Sequence, residues 1–411
     1  VQHVVVIGAG HAGVQVAESL RTGGHDGRVT LVGDEDALPY QRPPLSKDFL
    51  APGDTAEPLP LRGARFYAEN GIDLRTGVTA TVLDRRRRTV VLDDGDELHY
   101  SALVLATGAA NRTLAVTGSD LAGVHDLRTL ADAERLRADL EQARSAAVVG
   151  AGFIGLEFAA AARARGLAVT VLETTDRPMG RALTADMSTH LADAHRAMGS
   201  DLRLGEGLAG IRGRDGRVTG LVSGAGAEYA ADVVLIGVGV RPRDELATAA
   251  GLVVDDGIVV DAHLRTSDPD VYAIGDCASF PIPGLGGRRR LESVQNATDQ
   301  GRHVAQQILG APAGYGELPW FWSNQGSLRL QIAGLAQPGD TTVVCGDRPG
   351  GRFSVLAFRD GALVAVESLN RAADHVAARR VLSGAVTPTP EQAADPAFSL
   401  KDFAKQSAPV P

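Results

Sequence analysis

The chain has 411 residues, a formal net charge of −9, 44% hydrophobic and only 4% aromatic residues. That length supports two or three domains, and the acidic balance excludes general nucleic-acid binding. Its two cysteines, Cys277 and Cys345, stand far apart and in no metal-spaced or CxxC pattern, which excludes a disulfide scaffold and a zinc site. No apolar run approaches the ~18 residues of a membrane span, and no charged segment precedes an apolar start. A soluble cytoplasmic protein with no membrane association is therefore expected.

In chain order, the first element is "HVVVIGAGHAGVQVAESL" (3–20), a short apolar strand, a GxGxxG turn and an apolar pattern at helical spacing. "RVTLVGD" (28–34) supplies a second strand. The stretch "LPYQRPPLSKDFL" (38–50) then sets two adjacent prolines before Ser46 and Lys47. The prolines stiffen the backbone and oppose a helix before them. Ser46 is expected to cap the turn that follows. "RTVVLDDGDELHYSALVLA" (88–106) reads as a hairpin with an Asp-Gly turn feeding a return strand.

The opening pattern then recurs. "AAVVGAGFIGLEFAAAA" (146–162) repeats the strand, the GxGxxG turn and the helix, and "AVTVLE" (168–173) repeats the second strand. "GRVTGLVSGAGAEYAADVVLIG" (216–237) repeats the hairpin and return strand. In such a turn the first glycine makes the bend. The second lets the backbone touch a pyrophosphate, and the third lets the helix pack on its strand. The helix N-terminus offers N–H groups and a positive dipole end to the phosphates. An acid about 20 residues on binds a ribose hydroxyl, and Asp34 and Glu173 stand at that distance. Glu173 also favours NAD over NADP, because a carboxylate repels a 2′-phosphate; a solvated strand end is the lesser alternative. Two such motifs in one chain point to FAD plus a nicotinamide dinucleotide. "ALVLATGA" (102–109), "DVVLIGVGVRPR" (232–243) and "DVYAIGDCA" (270–278) are strands that end in glycines, where backbone can pass close to a cofactor.

With these motifs in order, and with "ESVQNATDQ" and "PWFWSNQ" after them, the chain resembles two-dinucleotide flavoproteins of the glutathione-reductase structural type. Within that type it resembles the NADH-dependent ferredoxin reductases of bacterial oxygenase and cytochrome monooxygenase systems. The resemblance implies an α/β fold with two Rossmann-like dinucleotide-binding domains, one for FAD and one for NAD, plus a small C-terminal α/β interface domain. The FAD domain is expected over 1–112 and 241–319, the NAD domain over 113–240 and the interface domain over 320–411. The Pro- and Ala-rich tail from 387 is expected to lie along the surface and fray.

By that resemblance FAD is held by Gly8, Gly10, Ala12 and Gly13, with Asp34 at its adenosine ribose and Ala80 offering main chain to the adenine. Arg128 reaches its phosphate region, although an Arg there is otherwise a surface residue flanking a helix. Asp276 accepts from its ribityl side, and Val294 brings a main-chain N–H or helix end to the flavin ring. NADH is held by Gly150, Gly152, Gly155, Glu173 and the loop at Gly239. Glu157 lies near nicotinamide and flavin; read alone, it is a carboxylate early in a helix, favoured by the dipole. Lys47 becomes a cation near the flavin that pairs with Glu157, where sequence alone allows a surface lysine at a helix start. Trp320 matches an aromatic near the flavin edge, where it shields the ring or carries electrons onward; core packing is the plain alternative.

Where disulfide-reducing relatives carry redox cysteines beside the flavin, the 38–50 stretch has none. Hydride from NADH therefore leaves as electrons to an external carrier or to oxygen. The implied activity is NADH:ferredoxin oxidoreductase, with a ferredoxin or similar small iron–sulfur protein as partner and a monomer or weak dimer as the working form. A direct NADH oxidase and a redox-switched interaction protein like apoptosis-inducing factor are the alternatives. Docking an acidic ferredoxin onto an acidic chain calls for a basic patch. The candidates are Arg85–Arg88 and Arg288–Arg290, the second favoured because it precedes the flavin-contacting segment. After "WS" the family commonly reads Asp, Gln and Tyr; Asn324, Gln325 and Gly326 stand here, removing a charge and a ring from the face expected to meet flavin or partner.

Overall fold

The computed structural model describes residues 2–53, 57–282 and 285–406. The chain divides into two compact units: Val1–Gln41 with Pro58–Ala110 and Val240–Glu317, and Arg42–Glu57 with Asn111–Gly239 and Leu318–Pro411.

The first unit is built on a five-stranded parallel sheet. Its order is Val271–Ala273, Ala102–Leu105, His3–Ile7, Arg28–Val32 and Ile72–Arg75. The near-continuous Val and Leu runs of the inner strands follow from burial on both faces, and Val4, Val5, Val6, Leu103, Val104 and Leu105 are all fully buried. The helix His11–Thr22 packs closely on the helix Val294–Ile308: a Cβ at Gly301 would fall 2.8 Å from the Ala12 carbonyl oxygen. The Asp-Gly hairpin forms as Thr89–Leu92 and Glu97–His99, joined by Ala80–Asp84 into a small antiparallel sheet.

The second unit repeats this construction. Its parallel sheet runs Ser200–Leu204, Ala168–Glu173, Ser145–Val149, Val233–Ile236 and Val124–His125. Its small antiparallel sheet is Leu208–Arg214, Arg217–Ser223 and Glu228–Ala230. The first of these hairpins closes on Asp215-Gly216, both at positive φ (53° and 79°), the two-residue turn that matches strand twist.

The C-terminal portion of the second unit is a five-stranded antiparallel sheet ordered Trp320–Gln325, Leu328–Gly334, Ala362–Leu369, Arg352–Arg359 and Thr341–Asp347. One face buries Leu356, Phe358 and Val366 against the helix Ala372–Leu382. The tail does not fray as expected over its described part. It forms the helices Pro390–Ala394 and Leu400–Gln406, and Ala393, Leu400 and Ala404 enter that same core. A capping box at Thr389 and Gln392 starts the first of them. The tail's small alanines let short helices approach closely; residues 407–411 lie outside the described residues.

The opposite face of this sheet carries a buried acid. Glu367 is 1% exposed and accepts from the Thr184 backbone N–H at 2.8 Å and hydroxyl at 2.5 Å. Burial pushes its carboxyl from 4.5 up to about 7, against the opposing effect of the Thr184 donors. The folded state thus holds this proton more tightly than the unfolded chain. The stability it confers is full below about pH 4.5 and is lost as pH rises through about 7. Glu367→Gln is expected to abolish this decline, worth on the order of 3 kcal/mol, in chemical denaturation curves collected across that pH window.

Candidate functional site

The two glycine-rich turns share one geometry. A Cβ at Gly8 (φ 111°) would sit 2.0 Å from the Ala106 carbonyl oxygen, and one at Gly13 would sit 1.9 Å from that of Gly8. In the second turn, Gly150 (φ 101°) meets the Gly237 oxygen at 2.5 Å and Gly155 meets the Gly150 oxygen at 2.1 Å. Packing therefore demands these four glycines. Gly10 and Gly152 differ: a Cβ there would meet nothing within 4 Å. Internal packing does not require a glycine at either place, but a pyrophosphate lying against the backbone does. Gly10 and Gly152 are also the N-caps of the helices His11–Thr22 and Phe153–Ala164, and neither helix has a side-chain cap or an acid in its first turn. Both cradles fit the phosphates of a dinucleotide.

Around the first cradle, Ala12 is buried and Gly275 approaches it so closely that a Cβ would lie 3.4 Å from the Ala12 Cβ. Asp276 sits in the 3-10 turn Gly275–Cys277, which is pinned by the Gln300 side chain accepting from the Gly275 N–H at 2.7 Å. Gln300 is fully buried and is absent from the sequence-based expectations. Val294 is the first residue of the helix Val294–Ile308, so a helix end does stand at this position, capped by Ser293. Asp34 is half-exposed and paired with Arg243 at 2.6 Å. Ala80 opens the strand Ala80–Asp84, opposite Leu92.

Around the second cradle, Glu173 anchors the turn. One carboxylate oxygen accepts from the Ala151 N–H at 2.8 Å, and the other accepts from the Thr175 N–H at 2.9 Å. Gly239 (φ 97°) has Arg181 and Arg112 side chains at its edge, 3.5 and 4.0 Å from where a Cβ would stand. Arg128 precedes the Thr129 N-cap of the helix Leu130–Leu140, and its carbonyl accepts from Arg42 at 2.8 Å.

The proline–lysine stretch belongs to this second unit. Pro43–Ser46 and Asp48–Leu50 form two short 3-10 turns, with Lys47 between them. Lys47 Nζ donates to Glu157 Oε2 at 2.6 Å, to the Pro43 carbonyl at 2.9 Å and to Ser46 Oγ at 3.2 Å. Glu157 is 4% exposed. It accepts from Ser46 Oγ at 2.5 Å on the same oxygen and from Ser323 Oγ at 2.7 Å on the other. Ser46 is thus not the cap that the sequence suggests: no side chain caps either short turn, because its hydroxyl is drawn to the buried carboxylate. Arg165 fastens the same segment through the Leu50 and Ala51 carbonyls, at 2.6 and 3.0 Å.

Trp320 is not brought to this cluster. Side chains alternate along a strand, so Trp320 and Trp322 share one face while Phe321, Ser323 and Gln325 share the other. Trp320 packs on the core under the helix Ala372–Leu382, with Arg379 over its ring at 4.3 Å and His375 at 5.4 Å. Its indole N–H is buried with no hydrogen-bond partner among the described residues. Ser323, two residues before Gln325, is the residue of this strand that reaches Glu157. In the sequence it is marked only as the first of the polar triplet Ser323-Asn324-Gln325 after the aromatic run Trp320–Trp322.

Both cysteines are free thiols. Cys277 is fully buried beneath the Leu105 and Ile274 carbonyls, and Cys345 faces the Ala393 carbonyl at 3.4 Å. Burial pushes both thiols up, the opposite of what a reactive thiolate needs. The arginine runs are also largely engaged. Arg290 is bound by Asp256, Glu292 and the Asp276 carbonyl at 3.0–3.2 Å, and Arg288 donates to the Val260 carbonyl. Arg85 pairs with Asp268 at 2.8 Å, and Arg88 pairs with Asp270. Within the favoured Arg288–Arg290 run, Arg290 is ion-paired, whereas Arg288 and Arg289 bond backbone carbonyls and stand exposed with their charges at the surface.

Residues 2–301 match the pyridine nucleotide-disulphide oxidoreductase family, and residues 320–404 match the reductase C-terminal family. The chain is 49% identical to rhodocoxin reductase of Rhodococcus erythropolis, over 97% of this chain and 93% of that one. It is 38% identical to putidaredoxin reductase of Pseudomonas putida, over 98% and 96%. This chain belongs to the ferredoxin reductases of the pyridine nucleotide-disulphide oxidoreductase family. The solved ferredoxin reductase of Rhodopseudomonas palustris superimposes with a TM-score of 0.95 at 45% identity, covering 98% of this chain and all of that one. A covalent putidaredoxin reductase–putidaredoxin complex gives 0.94 at 37% identity, covering 99% of each reductase chain. The reductase is thus an oxidoreductase of FAD and a reduced pyridine nucleotide. Among its described residues no helix is long and apolar enough to cross a membrane.

The Lys47–Glu157 pair gives the site a measurable energetic signature. Removing the cation leaves a carboxylate in a low-dielectric setting without its counter-charge, which costs far more than removing both. Lys47→Met is expected to lower unfolding free energy by about 3 kcal/mol. The double variant Lys47→Met/Glu157→Gln is expected to recover most of that in denaturant titrations.

Proposed function

We propose that this reductase takes electrons from NADH and passes them through FAD to a ferredoxin-type iron–sulfur protein serving an oxygenase. The observation that carries the reading is the Lys47–Glu157 pair, standing in a segment with no cysteine, in a chain whose two cysteines lie far from that segment in sequence. FAD, when bound, supplies the conversion of a hydride into single electrons. The chain's own residues do the rest. The Gly8–Gly13 turn and the helix after it would hold the FAD phosphates, with Asp276 accepting from its ribityl side and the Val294 helix end at its ring. The Gly150–Gly155 turn holds the nicotinamide dinucleotide. Lys47 presents a fixed cation that stabilises negative charge on the reduced ring, and Glu157 keeps that amine in place.

NADH preference rests on Glu173. Its carboxylate is locked at the strand end by the Ala151 and Thr175 N–H groups, where it accepts from a ribose hydroxyl and repels a 2′-phosphate. Arg177, the nearest arginine in sequence, is committed to the Leu183 and Gly180 carbonyls at 2.7 and 2.8 Å. Glu173→Ser is expected to lower the ratio of kcat/KM for NADH over NADPH at least ~10-fold, about 1.4 kcal/mol of discrimination, in steady-state assays with each coenzyme.

The acceptor is tested by following reduction of a purified ferredoxin against NADH consumption in air. Transfer to ferredoxin that outruns oxygen uptake supports the reading. Rapid oxygen uptake with no ferredoxin reduction assigns an oxidase instead.

A further inference from the structure

Behind Glu157 runs a buried line of polar side chains that the proposed reaction does not use. His195 lies on the helix Ala185–Ala197 and is fully buried, and Gln325 and Ser323 are 1% and 0% exposed. His195 Nε2 lies 2.8 Å from Gln325 Oε1. Gln325 Nε2 lies 3.1 Å from Ser323 Oγ, and Ser323 Oγ lies 2.7 Å from Glu157 Oε1.

The chemistry of the groups sets the direction of every bond. An amide oxygen only accepts, so His195 must carry its proton on Nε2. Its Nδ1 is buried with no partner among the described residues, and burial lowers its basicity, so the ring is neutral with this one tautomer. Gln325 then has only N–H donors to offer Ser323. Ser323, with its oxygen accepting, has its own proton to give to Glu157. All three bonds therefore donate toward the carboxylate. Chains of hydrogen bonds polarise one another in a low-dielectric interior, so each link strengthens the last.

We infer that His195, Gln325 and Ser323 are positioning residues that fix one Glu157 oxygen and thereby hold the other against Lys47. The inference rests on the reading that Lys47 acts at the flavin. It gives a role to two neighbours of the aromatic motif, the serine and glutamine of "WSNQ", and to a histidine 38 residues beyond Glu157 in sequence. Leucine at position 195 or 325 would leave Glu157 its direct donors from the 46–47 segment but free Ser323 Oγ to rotate away.

The test uses the FAD-loaded enzyme and two readouts: the midpoint potential of the flavin, and the rate constant of flavin reduction by NADH in stopped flow. His195→Leu, Gln325→Leu and Ser323→Ala are each expected to make the potential more negative and to slow reduction, by roughly tenfold for Ser323→Ala, the size of one lost charge-assisted hydrogen bond. His195→Gln keeps an N–H donor at the Nε2 position and is expected to stay near the unmodified enzyme. If a leucine variant does not fold, Ser323→Ala against Ser323→Thr makes the same comparison. Lys47→Met separates the two claims. If it shifts the potential while the His195, Gln325 and Ser323 variants lower thermal stability alone, the relay is merely structural and the inference is overturned. If Lys47→Met leaves the potential unmoved, the reading beneath it falls as well.

Discussion

A carboxylate taken out of water must be met by donors or it will not stay charged and in place. Glu157 imposes that demand on the second unit, and the surrounding chain reads as the answer to it. Two prolines at the start of a 3-10 turn hold Ser46 and Lys47 in fixed positions. The strand Trp320–Gln325 turns a serine inward where an apolar residue would otherwise pack. Three donors converge within 2.7 Å, two on one oxygen and one on the other. This arrangement satisfies both oxygens of the acid, so the site and the local fold support each other.

The paired cradles show how one solution is used twice. In each, a glycine at positive φ backs onto the carbonyl of a neighbouring strand's end, and a third glycine backs onto the first. The cradles diverge at their acids. Asp34 stands half-exposed and neutralised by Arg243, whereas Glu173 is tied to the backbone of its own turn. The first arrangement leaves a side-chain ion pair at the strand end; the second leaves a carboxylate fixed by backbone N–H groups. The two turns therefore differ at their acids and not at their glycines.

Repetition made the architecture legible in the sequence. The doubled strand–turn–helix, its acids and the two hairpins all appear where their patterns place them, because parallel strands buried on both faces and tight turns leave strong local signatures. What could not be read depends on partners distant in sequence. Ser46 looks like a cap until Glu157, 111 positions away, is brought beside it. Ser323 is one polar residue among many until the strand Trp320–Gln325 sets it beside Glu157, 166 positions away. The tail's alanines suggest disorder by composition, but their smallness is what allows helix packing. His195 carries no local mark at all; only the tertiary fold sets it against Gln325.

The segment Arg42–Glu57 sits, by chain order, in the midst of the first nucleotide unit, yet it belongs with the second. Anyone building chimaeras between such enzymes would find that the crossover points are not those of the linear sequence. A graft that exchanges residues 111–239 alone would bring in a foreign acid against a resident amine. The lysine and its glutamate stay matched only if this short excursion travels with the module it serves, so the unit to be exchanged is discontinuous in sequence.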